Sequence, residues 1–69
     1  MPTGKVVEFD DDKGWGSIEE DGGPAWFFHC TAIADGTRTI EVGTAVEFGL
    51  APGHNGRYEA RPVTAQPSG

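Results

Sequence analysis

The residues best suited to chemistry are aromatic and cationic side chains that occur close together in two short segments. These segments are Lys13-Gly14-Trp15-Gly16 and Trp26-Phe27-Phe28-His29. Successive side chains of a β-strand point to opposite faces, so Phe27 and His29 share one face. If the two segments pair as a hairpin, Trp15 joins them and Lys13 lies beside the patch. Nucleobases stack on such rings for about 1–3 kcal/mol each, so the pattern predicts binding of single-stranded nucleic acid.

The other face of the same segments carries Ile18, Trp26 and Phe28, which we assign to the hydrophobic core. Aromatic side chains in the strands of a small protein are more often core residues than ligand contacts, and single exposed aromatics are common. From the residues alone, a purely structural role for Trp15 and Phe27 stays open beside the binding role.

Other combinations of reactive side chains fail on number or spacing. His29 and Cys30 could begin a zinc site, but zinc needs three or four ligands, and the chain offers only one cysteine and one further histidine, His54. The run at 10–12 is three aspartates, but it lacks the glycine and glutamate of a calcium-binding EF-hand loop and is typical of a polar turn. No catalytic serine–histidine–acid set or phosphate-binding glycine loop is present. We therefore expect no enzyme activity, no metal and no cofactor.

Length and composition bound the architecture and the setting. The 69 residues allow one domain, which we place at 1–64 with a flexible tail at 65–69. One cysteine excludes an internal disulfide, and no apolar run approaches the ~20 residues of a membrane span. We therefore expect a cytoplasmic monomer that does not contact membranes.

The net charge of −6 works against phosphate binding, because phosphate contacts supply much of the affinity of nucleic-acid-binding proteins. The cationic side chains are Lys5, Lys13, Arg38, Arg57 and Arg61. So few cations predict a footprint with few phosphate contacts and more reliance on base stacking.

Five short strands are predicted from β-forming runs that lie between turn signals. They cover 4–10, 15–20, 25–30, 44–51 and 57–63, with one helical turn at 31–34. Alternation places Val46, Phe48 and Leu50 together on one face of the fourth strand. It places Tyr58 with Ala60 in the fifth. A closed barrel is favoured because closure removes unpaired edges, although an open or strand-swapped sheet also fits the spacing.

The two aromatic segments resemble the RNA-binding motifs of bacterial cold-shock proteins. The matching stretches are Asp12-Lys13-Gly14-Trp15-Gly16-Ser17-Ile18 and Trp26-Phe27-Phe28-His29-Cys30, and the pattern continues through Thr31-Ala32-Ile33 and Val46-Glu47-Phe48. The resemblance covers roughly 2–63. It implies an all-β fold, namely a five-stranded antiparallel Greek-key barrel of the oligonucleotide-binding (OB) type. It also implies binding of single-stranded RNA or DNA by base stacking, as in RNA chaperones and antiterminators of the stress response.

The resemblance assigns roles to six residues, and the leading hypothesis adds Arg38 as a seventh. Those that would stack on bases are Phe9, Trp15, Phe27 and His29. Lys13 would contact phosphates, with smaller contributions from Lys5 and Arg38.

Four positions depart from the family pattern, in which they are usually or often aromatic: Glu8, Ser17, Cys30 and Thr37. Simple alternation places Glu8 with Val6, and only a β-bulge would bring it to the binding face, where its carboxylate would repel phosphates. Tyr58 could replace a missing ring if it pointed outward, but its alternation with Ala60 indicates the core.

Two functions are compatible with these residues. The leading prediction is a protein that binds single-stranded RNA or DNA, weakly or over few bases. The alternative is a protein-interaction module that keeps the barrel and has lost nucleic-acid binding. The features that favour it are Glu8, Ser17, Cys30 and the net charge. Salt distinguishes them, because phosphate contacts weaken as salt rises whereas an apolar interface barely responds.

Overall fold

Five antiparallel strands form one sheet in the computed structural model, which describes residues 1–53 and 56–66. The strands are β1 (Thr3–Asp10), β2 (Trp15–Glu20), β3 (Ala25–His29), β4 (Ala45–Pro52) and β5 (Tyr58–Ala65). A single 3₁₀ turn, Cys30–Ala32, follows β3. The order across the sheet is β3-β2-β1-β4-β5. The prediction of a five-stranded antiparallel fold is confirmed.

The turn between β1 and β2 is held by the side chain of Asp10. Its Oδ1 accepts hydrogen bonds from the backbone N–H groups of Asp12, at 3.0 Å, and Lys13, at 3.1 Å. Gly14 follows with a φ of 75°, in the left-handed region that glycine adopts without strain. The aspartate run therefore acts as a turn, as its composition predicted, and it fixes where Lys13 and Trp15 begin the second strand.

The sheet curls until β5 meets the segment that follows β3. Ile33 and Val63 form a parallel bridge, and the N–H of Ala34 donates to the carbonyl of Val63 at 2.8 Å. The strands β3 and β5 also contact one another, without a ladder of hydrogen bonds between them. The barrel is thus closed by a short bridge at one level, and an open groove remains between β3 and β5.

The core lies inside this barrel and draws on every strand. Its buried members are Val6, Ile18, Phe28, Ala32, Ile33, Val46, Phe48, Ala60 and Val63. Phe9, Trp26, Cys30 and Ile40 pack against it while remaining partly exposed. No helix in the part of the chain that the structure describes is long and apolar enough to span a membrane.

Leu50 is not buried as Phe48 is, although the two share one face of β4. The register shift between β4 and β5 leaves the extra residue on β5, so Leu50 still lies opposite the buried Ala60. Leu50 is nevertheless 42% exposed, because it lies towards the end of β4, where the core covers less of its side chain.

The last strand runs beyond the predicted domain end at 64. Ala65 still belongs to β5 and pairs with Val46, and the N–H of Gln66 donates to the carbonyl of Ala45 at 2.9 Å. The rest of the predicted tail, 67–69, lies outside the described residues, as do His54 and Asn55 of the predicted turn.

The core assignment predicts unequal effects of removing one methyl group from Ile18 and of truncating the exposed Val42. Ile18 is fully buried and Val42 is 60% exposed. Ile18→Val should lower the free energy of unfolding by about 0.5–1.5 kcal/mol, and Val42→Ala should change it by less than about 0.5 kcal/mol. Urea denaturation followed by circular dichroism measures both. An equal loss in the two variants would contradict the assignment.

Candidate nucleic-acid interface

The outer face of β1, β2 and β3 carries two rows of side chains that run across the strands. Residues paired across antiparallel strands project from the same face of the sheet. The paired residues are Asp10, Trp15 and His29 in one row and Glu8, Ser17 and Phe27 in the other. The hairpin of β2 and β3 therefore brings the predicted rings to one surface.

Three rings on this surface contact one another, and we call Trp15, Phe27 and His29 the aromatic patch. The ring centroids of Trp15 and Phe27 lie 5.4 Å apart, and those of Phe27 and His29 lie 4.8 Å apart with the planes at 89°. Each of the three side chains is only partly buried. Part of the patch is thus open to solvent, where a flat ligand can reach it.

Lys13 lies next to the patch, as predicted. Its Nζ is 5.9 Å from the centroid of the Trp15 ring, within the range of a cation–π interaction. A cation held over a stacking ring is suited to meet the phosphate of a nucleotide whose base contacts that ring. The structure therefore brings together four of the seven predicted site residues.

Phe9 lies on the inner side of the sheet, contrary to the expectation that it shares the stacking face. It pairs with the buried Gly16, and its ring stacks on that of the buried Phe28, with centroids 5.8 Å apart. The reason is a register shift in β1 between Val6 and Glu8. The shift inverts the alternation in the second half of the strand.

Lys5 and Arg38 belong to other parts of the fold than the turn that carries Lys13. Lys5 is exposed on β1, where it lies opposite Glu19 of β2. Glu19 and Trp15 are at opposite ends of β2. Arg38 is exposed in the loop before β4, beside Cys30 and Thr31. Among the predicted cations, Lys13 is the one that the fold places against the rings.

Glu8 faces outward because of the same register shift, so the alternation that grouped it with Val6 was wrong. It lies opposite Ser17, in the row that contains Phe27. Adjacent strands are about 4.8 Å apart, which puts the Glu8 backbone about 10 Å from that of Phe27. The Debye length is about 8 Å at ~0.15 M salt and about 30 Å at ~0.01 M, so salt weakens the repulsion between this carboxylate and a phosphate at the patch under physiological conditions, and the repulsion is strongest at low salt.

The carboxylate of Glu8 is one of several on this side of Trp15. A shallow depression beside the Trp15 ring is lined by Glu8, Phe9, Asp10, Asp11 and Asp12. Negative charge of this density repels a phosphate backbone. The β1 side of the patch is therefore unfavourable for a nucleic-acid strand.

The glycines that flank Trp15 pack against the protein itself. A Cβ on Gly16 would collide with the carbonyl oxygen of Glu8, and one on Gly14 would lie 3.1 Å from the Sγ of Cys30. Their lack of side chains is needed for close packing of β1, β2 and the 3₁₀ turn.

The remaining departures from the family pattern supply no ring. Ser17 leaves open space beside Phe27, and Cys30 packs partly buried against the core. Thr37 forms a turn with Asp35, whose Oδ1 accepts from the threonine hydroxyl at 2.7 Å and from its N–H at 3.0 Å. These hydrogen bonds, the one from the hydroxyl first, lower the pKa of the Asp35 carboxyl.

Tyr58 is exposed, although its alternation with Ala60 indicated a place in the core. It is the first residue of β5, opposite Pro52, and it is 59% exposed while Ala60 is fully buried. Because Tyr58 begins β5, it lies beyond the layer of core side chains that covers Ala60. The alternation within a single strand does not show where that layer ends. Tyr58 is therefore an exposed ring, which the sequence analysis named as a possible replacement and then assigned to the core.

Trp26 is only half-buried, although the sequence assigned it wholly to the core. Its Nε1–H donates to Oε1 of Glu20 at 2.9 Å. The polar edge of an indole is usually hydrogen-bonded when it is buried, and here the partner lies at the rim of the barrel. Trp26 therefore sits between the core and the groove that separates β3 from β5.

No group of three or more histidine, cysteine, aspartate and glutamate side chains suited to a metal ion occurs within 1–53 and 56–66.

These features define a small OB-type barrel with an aromatic patch and a cation on its outer face. A family model described as the "'Cold-shock' DNA-binding domain" matches residues 2–66. Cold shock-like protein CspD of Bacillus cereus is 46% identical over 61 residues, which cover 87% of this chain and 92% of that protein. Cold shock protein CspB of Bacillus caldolyticus is 42% identical over 64 residues, covering 91% and 97%. The chain belongs to the cold-shock domain family, as its two motifs predicted.

The barrel is also similar to a solved structure, "drosophila Unr CSD456". The TM-score is 0.78 at 24% identity, and the match covers 97% of this chain. This chain spans 27% of that longer chain. The likeness supports the fold.

Proposed function

We propose that this protein binds single-stranded RNA or DNA by stacking bases on Trp15, Phe27 and His29, and that it works as an RNA chaperone or antiterminator without catalysing a reaction. The observation that carries the proposal is the contact between these three rings on an exposed face, with Lys13 over one of them. The membership of this chain in the cold-shock domain family supports the same function.

The preference for single strands has a physical basis in the patch. Stacking needs the face of a base, which a duplex covers with neighbouring base pairs and a single strand can expose. Since the protein then binds only the unpaired form, it shifts the equilibrium towards that form by mass action. Keeping RNA unpaired in this way requires no cofactor and no chemical step.

The charges on the outer face limit how much phosphate contacts contribute. Lys13 is the cation against the rings, whereas Glu8 and the aspartates at 10–12 lie on the β1 side. The salt dependence of binding to single strands has a log–log slope of about −0.7 per phosphate neutralised. We therefore propose that few phosphates are neutralised and that stacking supplies most of the affinity.

The outward Glu8 also supports the alternative function, a protein-interaction module. On that view the carboxylates and rings of the outer face bind a partner protein. Lys13 and the three contacting rings favour nucleic acid instead, because a cation beside a stack of rings fits a nucleotide. The salt response separates the two functions: nucleic-acid binding weakens as salt rises, and an apolar protein interface responds little.

We further propose a cytoplasmic monomer. The core is self-contained, since the strands of this single chain pair with one another and enclose the buried side chains. The one cysteine, Cys30, is a free thiol, which suits a reducing compartment.

Removing a ring from the aromatic patch should weaken binding while the fold survives. Trp15→Ala and Phe27→Ala should each cost about 1–3 kcal/mol of binding free energy to a pyrimidine-rich single strand. The variants Trp15→Phe and Phe27→Tyr keep a ring and should retain most of the affinity. Fluorescence anisotropy of a labelled oligonucleotide measures binding, and circular dichroism checks folding. Unchanged affinity in both alanine variants would remove the aromatic patch from the proposed function.

Neutralising Glu8 should strengthen binding. Glu8→Gln removes a partly screened negative charge from the face and should gain about 0.2–1 kcal/mol at low salt, as for a single exposed charge, with less gain as salt rises. Glu47→Gln changes the net charge equally at an exposed site on β4, away from the patch, and should gain less. Glu8→Trp, which adds a ring as well, should gain more than Glu8→Gln. Equal effects of Glu8→Gln and Glu47→Gln would show that position on the face does not matter.

A further inference from the structure

We propose that Tyr58 forms an additional base-binding subsite, across the groove from Phe27 and His29. The inference rests on the proposed nucleic-acid function and extends it to a strand, β5, that neither cold-shock motif contains. The subsite would take one nucleobase of a single strand whose neighbouring bases contact the aromatic patch. Tyr58 would be a binding residue there, and its ring rather than its hydroxyl would supply the interaction.

The groove has the size and lining that such a subsite needs. It encloses about 780 Å³ between β3 and β5, within the range of small-molecule sites. Phe27, His29 and Trp26 line one side, and Arg57 and Tyr58 line the other. The groove is continuous with the aromatic patch, because Phe27 and His29 belong to both.

Tyr58 is available for stacking because the fold leaves its ring outside the core. It is 59% exposed, and it lines the groove instead of packing with the buried Ala60. The space between Phe27 and the β5 side stays open because β3 and β5 are not joined by a ladder of hydrogen bonds. Ser17, opposite Phe27 on β2, has a small side chain and leaves the other flank of the Phe27 ring uncovered as well. A base that leaves Phe27 in this direction meets the ring of Tyr58.

Charge favours this direction over the opposite one. On the β1 side of Trp15 the depression contains four carboxylates, from Glu8 and residues 10–12. On the β5 side Tyr58 lies between Arg57 and Glu59, which carry opposite charges, and all three line the groove. A phosphate backbone is therefore repelled at β1 and meets a nearly neutral surface at β5.

The near neutrality of this surface predicts how the subsite contributes. Binding at Tyr58 should come from stacking. Loss of the Tyr58 ring should therefore lower the affinity without changing the slope of log K against the logarithm of the salt concentration. Lys13, in contrast, should act on phosphate, so Lys13→Ala should flatten the slope. A merely structural role for Tyr58 would weaken binding to strands of every length, so the dependence on strand length separates it from a role in stacking.

The test measures binding of oligothymidylates of increasing length, at several salt concentrations, to the full chain and to Tyr58→Ala, Tyr58→Phe and Trp15→Ala. Tyr58→Ala should bind the longer strands about 5- to 150-fold more weakly than the unsubstituted protein. On the shortest strands that bind, the two proteins should have the same affinity. Their affinities should also depend on salt concentration with the same slope. Tyr58→Phe should behave like the unsubstituted protein. Thr64→Ala, at the other end of β5 and exposed, is the control for changes on that strand.

A second measurement needs no substitution. Tyr58 is the one tyrosine in the sequence, so ring-labelled tyrosine gives a single NMR probe. Its ring resonances should move upfield on saturation with a long strand and stay in place with the shortest one.

The outcomes separate the subsite from the proposed function. If Trp15→Ala loses affinity while Tyr58→Ala matches the unsubstituted protein at every length and the tyrosine resonances do not move, the subsite is wrong and the function stands. If the unsubstituted, folded protein binds no strand, both are wrong.

Discussion

The register shift in β1 between Val6 and Glu8 determines which side chains this barrel presents to a ligand. β1 pairs with both β2 and β4, so its residues are constrained on two sides. Before the shift Val6 is buried in the core; after it Glu8 is exposed and Phe9 stacks on Phe28. Since a slip of one residue exchanges the two faces of a strand, an unshifted β1 would bury a carboxylate and expose a phenyl ring.

Within that constraint, stacking and charge act in opposite directions on the outer face. Trp15, Phe27 and His29 form a surface on which bases can stack, and the carboxylates around Glu8 repel the phosphates that those bases carry. The groove beside Tyr58 offers a further ring with little net charge. On the proposed function, affinity would depend on ring contacts more than on cations, and a bound strand would avoid β1 and run towards β5.

The sequence was informative where a local pattern decides the structure. The alternation in β2 and β3 and the aspartate turn between β1 and β2 were sufficient to place Trp15, Phe27, His29 and Lys13 together. The sequence was uninformative where the pairing between neighbouring strands decides which way a side chain faces. The shift in β1 depends on the neighbouring strands, so simple alternation grouped Glu8 with Val6, and the bulge that brings Glu8 to the outer face was only one of two possibilities. Phe9 was placed on the wrong face for the same reason. Tyr58 was named as a possible replacement ring but assigned to the core, because strand alternation does not show where the core ends.

The measurement that tests the central claim most directly is quenching of Trp15 fluorescence by single strands. The chain has two tryptophans, so a Trp26→Phe variant reports on Trp15 alone. Titration with a short pyrimidine-rich strand should give saturable quenching that weakens from low to physiological salt, because the base stacks on the indole while Lys13 holds a phosphate. No change in emission with any strand, in a variant shown to be folded, would contradict the account and favour the protein-interaction module.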